Sequence, residues 1–171
     1  RPAGQRVQGT LRSEGGELIV AAQTGTRVRI AMPDDAPQLL PLFAAFYGPY
    51  FDPKTEEAIR RQIVAAADVN VVLIACVGER LAGFASLRLI PQIESHRPHA
   101  ELSDLFVDTR FRHRGVGRAL VRFAEDAARR RGAKRIHLTV GKDNDGALAF
   151  YHKEGYDEHA FAMVRSLGGR P

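Results

Sequence analysis

The stretch Arg112-His113-Arg114-Gly115-Val116-Gly117 restricts the fold of this chain more than any other. A run that reads as a strand, Leu102 to Val107, leads into it, and an amphipathic segment opening Arg118-Ala119-Leu120 leaves it. Two glycines at a strand-to-helix turn let the backbone come close to a ligand, because no Cβ stands in the way. The first turn of the helix then offers N–H groups without intrahelical acceptors, at the positive end of its dipole. Such a turn is an anion site, and phosphate suits it best. It is not a Walker A loop, since Arg118-Ala119 follow the last glycine, nor a dinucleotide fingerprint, since Leu120 holds the third glycine position.

A chain of 171 residues suits one domain with a sizeable core. Hydrophobic residues at 44% and charged residues at 26% are ordinary for a folded protein. Cys76 is the only cysteine, so no intrachain disulfide or cysteine-cluster metal site is expected, and no metal is implied. No apolar run reaches the ~18 residues of a membrane span, and no signal-peptide pattern opens the sequence. The expectation is a cytoplasmic protein without membrane contact. A net charge of +5 raises the question of nucleic acid. The basic residues are scattered, however, and the dense run Arg129-Arg130-Arg131 closes a helix, where cations suit the dipole. No nucleic-acid partner is expected.

Residues 1–26 are rich in Gly, Gln and Arg with one apolar run at Leu18 to Ala22. Arg27 to Met32 reads as a strand, and Pro33-Asp34-Asp35 offers an N-cap for a helix that Pro41 should kink or delay. Thr55 caps a second helix. Val69 to Val77 and Leu81 to Ile90 read as a hairpin, and Pro91 to His99 as a polar loop. Ala100 to Asp108 is the strand that feeds the glycine turn. Val116, Leu120, Phe123, Ala124 and Ala127 form the buried stripe of the next helix, which Gly132 ends. Ile136, Leu138 and Val140 alternate as a strand, Asn144 or Asp145 starts a short helix ended by Gly155, and Tyr156 to Leu167 reads as a last strand.

Leu105-Phe106-Val107 followed by Arg112-x-x-Gly115-x-Gly117-x-x-Leu120 resembles the acetyl-CoA motif of the GNAT superfamily of N-acetyltransferases. Asn144-x-x-Ala147-x-x-Phe150-Tyr151-x-x-x-Gly155-Tyr156 resembles that family's second motif, and the two stand in the family's order and spacing from Glu101 to Tyr156. The resemblance implies an α/β (α+β) fold: a central mixed, mostly antiparallel sheet flanked by helices. Residues 27–171 would form that domain. Residues 1–26 would be an extension, either partly disordered or an added edge strand.

The implied activity is transfer of acetyl from acetyl-CoA to a primary amine by direct attack in a ternary complex. The expected acceptor is a small molecule or amino acid. A protein or peptide amine, or a non-catalytic acyl-CoA-binding module, is the alternative. Family members often form dimers, so a homodimer is admitted. By the same resemblance, backbone groups from Arg112, His113, Arg114, Gly115, Val116, Gly117 and Arg118 hold the pyrophosphate. Leu105, Phe106 and Val107 run beside the pantetheine arm, and Asn144 and Phe150 belong to the cofactor-binding set. Asn144 reads equally as a helix N-cap. Tyr151 stands where the family places the acid that protonates the departing thiolate; its other reading is a core tyrosine.

An alkyl ammonium with a pKa of about 10.4 needs a proton acceptor at neutral pH. Asp104 and Glu101 are the candidates, with Asp104 preferred, and the period of two puts them on opposite faces of the strand. Each reads otherwise as a surface carboxylate paired with an arginine. His113 reads as a turn residue facing solvent or phosphate. His96 and His99 share a solvated loop, and Cys76 is packed core. The acceptor pocket is expected among Tyr47–Pro53, Pro91–His99 and the last strands, with Tyr47, Tyr50 and Phe51 around an amine steered by Asp52.

Overall fold

A computed structural model describes residues 10–12, 18–21, 25–51, 56–65, 69–160 and 162–165. Among them, seven strands lie side by side in chain order: β1 (Thr10–Arg12), β2 (Leu18–Ala21), β3 (Thr26–Ile30), β4 (Asn70–Val77), β5 (Arg80–Gln92), β6 (Ser95–Val107) and β7 (Ile136–His137). Every neighbouring pair is antiparallel except β6 and β7, which run parallel. The helices are α1 (Ala36–Tyr47), α2 (Glu56–Ala65), α3 (Val116–Arg130) and α4 (Asp145–Lys153). The chain divides into two compact units, Arg1–His137 and Leu138–Pro171. No helix among the described residues is long and apolar enough to cross a membrane.

Alternation along β4 and β5 feeds two core layers. Ile74 and Phe84 turn to one side and pack with Leu39 and Leu42 of α1. Their neighbours Leu73, Ala85 and Leu87, all fully buried, turn to the other side, where α3 packs across β3 to β6. The predicted stripe of α3 is buried throughout, with Ala119, Val121 and Ala128 added to it. Burying a side chain such as Leu120 or Phe123 contributes roughly 1.5–3 kcal/mol, so this face holds α3 on the sheet. Gly132, at φ +89°, ends the helix as expected.

Several expectations need correction. Asp35 does not cap α1 with its side chain. It accepts two hydrogen bonds of 2.7 Å from Arg29 on β3 and one from the Met32 N–H, which makes a buried carboxylate useful where it stands. α1 runs on through Pro41. The polar stretch Pro91–His99 is not a loop: β5 continues to Gln92, turns at Ile93-Glu94 and returns as β6. Cross-strand hydrogen bonds fix that hairpin despite its polar sequence. Conversely, β7 stops at His137, and neither 138–140 nor the described part of 156–165 forms a strand. Met163 and Val164, consecutive in that stretch, are both almost fully exposed. Thr55 and Asp52 lie outside the described residues.

Candidate active site

Between β6 and α3 the backbone is pinned before it turns. Asp108 N–H donates to the Ala82 carbonyl at 2.9 Å. The Asp108 carboxylate accepts from the Arg110 N–H at 2.9 Å and from the Arg110 guanidinium at 2.6 Å. The Arg110 side chain and N–H hold the Asp108 carboxyl down at about 2, from an ordinary 3.8. A lowered folded-state pKa gives stability that is complete above the unfolded value and disappears as pH falls through the folded one. The wild type should therefore lose its advantage over Asp108→Asn between about pH 4 and pH 2, measured as melting temperature against pH.

Past this clasp, Arg112 is extended and its Nε donates to the Val107 carbonyl at 3.0 Å, with the guanidinium 6.0 Å from the Phe106 ring centre. His113 (φ +60°) and Gly115 (φ +81°) both lie in the left-handed region, and α3 begins at once. The Gly115 residue cannot cap the helix with a side chain. The first intrahelical bond is Ala119 N–H to Gly115 carbonyl at 3.0 Å. The N–H groups of Val116 and Gly117 therefore have no intrahelical acceptor. Arg112, His113 and Arg114 are exposed around them. The predicted strand-to-helix turn is present, with the positive end of the helix dipole behind it.

β6 itself departs from a regular strand. Glu101 pairs with Arg88, Leu102 with Leu87 and then Asp104 with Ser86, so Ser103 is an extra residue in a β-bulge. Arg88 and Ser86 share a face of β5, and their partners Glu101 and Asp104 therefore share a face of β6. The expectation of opposite faces fails because an inserted residue resets the alternation. Arg88 reaches Glu101 at 3.5 Å. Ser103 Oγ lies 3.3 Å from the Ser86 carbonyl oxygen and 3.1 Å from Asp104 Oδ2. Tyr47, at the end of α1, lies against the Asp104 carboxylate, and burial together with that charge pushes its phenol up to about 12, against Arg88.

Tyr47 thus meets Asp104, whereas Asp52, expected to steer the amine, lies outside the described residues. Its ring stacks on Phe51 at 6.3 Å, and Phe46 bridges from Tyr47 to Phe106. Leu105, Phe106 and Val107 complete the strand, half-buried. β6 pairs with β7 only at Ala100 and Glu101, so the described residues form no strand pairing on that edge farther along. Gly83 was missed by sequence reasoning. A Cβ there would stand 2.4 Å from the Phe106 carbonyl oxygen. A glycine inside a strand pattern was the available signal.

In the second unit, Asn144 Oδ1 accepts from the Ala147 N–H at 3.1 Å, the cap half of its two readings. Tyr151 is half-buried on α4, its ring 5.1 Å from Phe150 and 5.5 Å from Tyr156. Burial raises its phenol to about 12. Elsewhere, burial raises the half-buried Cys76 thiol, as suits packed core rather than a nucleophile.

Residues 36–156 match the model of the acetyltransferase (GNAT) family. An uncharacterized N-acetyltransferase of Bacillus subtilis, YhfO, is 31% identical over 77% of this chain and 89% of its own. An uncharacterized N-acetyltransferase of Methanocaldococcus jannaschii is 44% identical over 62 residues, 36% of this chain and only 27% of that protein. Among solved structures, an aminoglycoside acetyltransferase from an uncultured soil metagenomic sample, in complex with trehalose, superposes with a TM-score of 0.74. It is 22% identical, over 85% of this chain and 99% of that one.

Proposed function

Because the chain belongs to the GNAT family of acetyltransferases, and is an acyltransferase for which that family implies acetyl-CoA as cosubstrate, we propose that it acetylates a primary amine of a small molecule by direct attack in a ternary complex. The observation that carries this reading is the Gly115 turn, which opens backbone N–H groups to an anion directly after the strand bearing Asp104. Val116 and Gly117 N–H groups would hold the pyrophosphate, with positive charge from Arg112 and Arg114 around it. The backbone of Phe106 and Val107 would pair with the pantetheine amides, one lone pair of the Val107 carbonyl already being taken by Arg112. Bound there, acetyl-CoA supplies an acetyl group activated as a thioester.

Asp104 takes the proton from the incoming ammonium, directly or through water. The Tyr47 phenol and Ser103 hydroxyl orient it, whereas Arg88 holds Glu101. Tyr151, protonated at every working pH, is the acid for the departing thiolate. The name of the metagenomic neighbour supports a small-molecule acceptor. The test is thiol release from acetyl-CoA across a panel of amines. Asp104→Asn should lower kcat/KM about 100-fold. Glu101→Gln should lower it less than about tenfold, because Arg88 occupies that carboxylate. Equal losses in both variants would remove Asp104 from the role.

A further inference from the structure

We infer that the acceptor carries an anionic group, phosphate above all, about 13 Å from its primary amine, and that a basic cavity at the far end of the acid row receives it. This rests on the acetyl-transfer reading above. The cavity measures about 600 Å³, and its lining includes Arg97, His99, Lys134, Arg135 and His137. Glu94 is the only carboxylate among the lining residues described. It forms where the β5–β6 hairpin meets the segment between α3 and β7.

Register joins the cavity to the proposed site. Glu101, Ala100 and His99 pair in unbroken order with Arg88, Leu89 and Ile90, so His99 and Glu101 share a face of β6. His137 pairs with Glu101 from β7, and its ring stacks on His99 at 4.3 Å. The cavity wall and the two carboxylates thus form one strip. From His99 to Asp104 is five residues, of which the bulged Ser103 adds no ladder step. Four steps at about 3.3 Å give about 13 Å. Guanidinium and ammonium donors converging on one concavity suit an anion with several oxygens. A polycation laid along this strip would put its distal charge among three like charges.

Three acceptors of equal length separate these cases: 8-aminooctyl phosphate, 8-aminooctan-1-ol and 1,8-diaminooctane. The phosphate should exceed the diamine in kcat/KM by about tenfold or more. The double exchange Lys134→Gln/Arg135→Gln, at two exposed positions, should bring the phosphate down to the level of the alcohol. A diamine acetylated as well as the phosphate, or a preference that survives the double exchange, overturns the inference. An acidic peptide acetylated in preference to the phosphate overturns the small-molecule class. A second arm needs no turnover: octyl phosphate is titrated calorimetrically into protein saturated with coenzyme A, so that the glycine turn is filled. Binding that the double exchange abolishes supports the anion cavity, and no binding overturns it. If octyl phosphate binds so but no amine is acetylated, the acetyl-transfer reading fails and the acceptor half of this inference falls with it, while the cavity stands.

Discussion

Tyr151→Phe is expected to lower kcat about 100-fold while leaving the KM for acetyl-CoA and the melting temperature nearly unchanged. Phenylalanine keeps the edge-on contacts with Phe150 and Tyr156, so the packing of α4 loses nothing but a hydroxyl. What disappears is a proton. With its phenol raised to about 12 by burial, Tyr151 is protonated at every pH at which an amine is a realistic nucleophile. The alkaline limb of the activity profile should therefore not be set by this group. A tyrosine serving only as core would leave kcat unchanged, since its ring contacts survive in phenylalanine. Steady-state thiol release separates the two, with thermal unfolding of the same preparation as the check on folding.

Gly83→Ala should be the most damaging conservative change in the sheet. Its new methyl carbon would sit 2.4 Å from the Phe106 carbonyl oxygen and 3.1 Å from the Val107 Cα, and both are backbone. Neither strand can recoil freely, because Gly83 pairs with Val107 and the next turn is fastened through Asp108 N–H to the Ala82 carbonyl. Overpacking of this kind costs roughly 2–3 kcal/mol, or about 5–10 °C in melting temperature for a chain of this size. The segment that must move is the one proposed to lie beside the pantetheine arm, so KM for acetyl-CoA should rise as well. An alanine variant with unchanged melting temperature and KM would mean that this register is wrong.

The parts of this molecule that were legible in its sequence are those governed by near neighbours. The left-handed Gly115 turn, the buried stripe of α3, the Asn144 cap and the glycine that ends α3 all depend on spacings within one or two turns. Pairing is different. Nothing local says that Ser103 stands outside the ladder, so alternation alone put Glu101 and Asp104 on opposite faces. The meeting of Tyr47 with Asp104 joins the end of α1 to the middle of β6. Asp35 looked like a cap because the residues beside it are turn formers, but β3 delivers Arg29 to it. The Pro91–His99 hairpin was hidden for the same reason, since backbone hydrogen bonds rather than apolar side chains hold it together.

The bulge also bears on how this strand tolerates changes of length. β6 contains one residue more than its ladder with β5 uses between Leu102 and Asp104. A chain shorter by Ser103 would keep Glu101 opposite Arg88 and Asp104 opposite Ser86, with both carboxylates facing as they do now. In a regular strand, losing one residue turns every side chain beyond it to the other face. At Ser103 the acid row can absorb a deletion that, within a regular ladder between Glu101 and Asp104, would invert it.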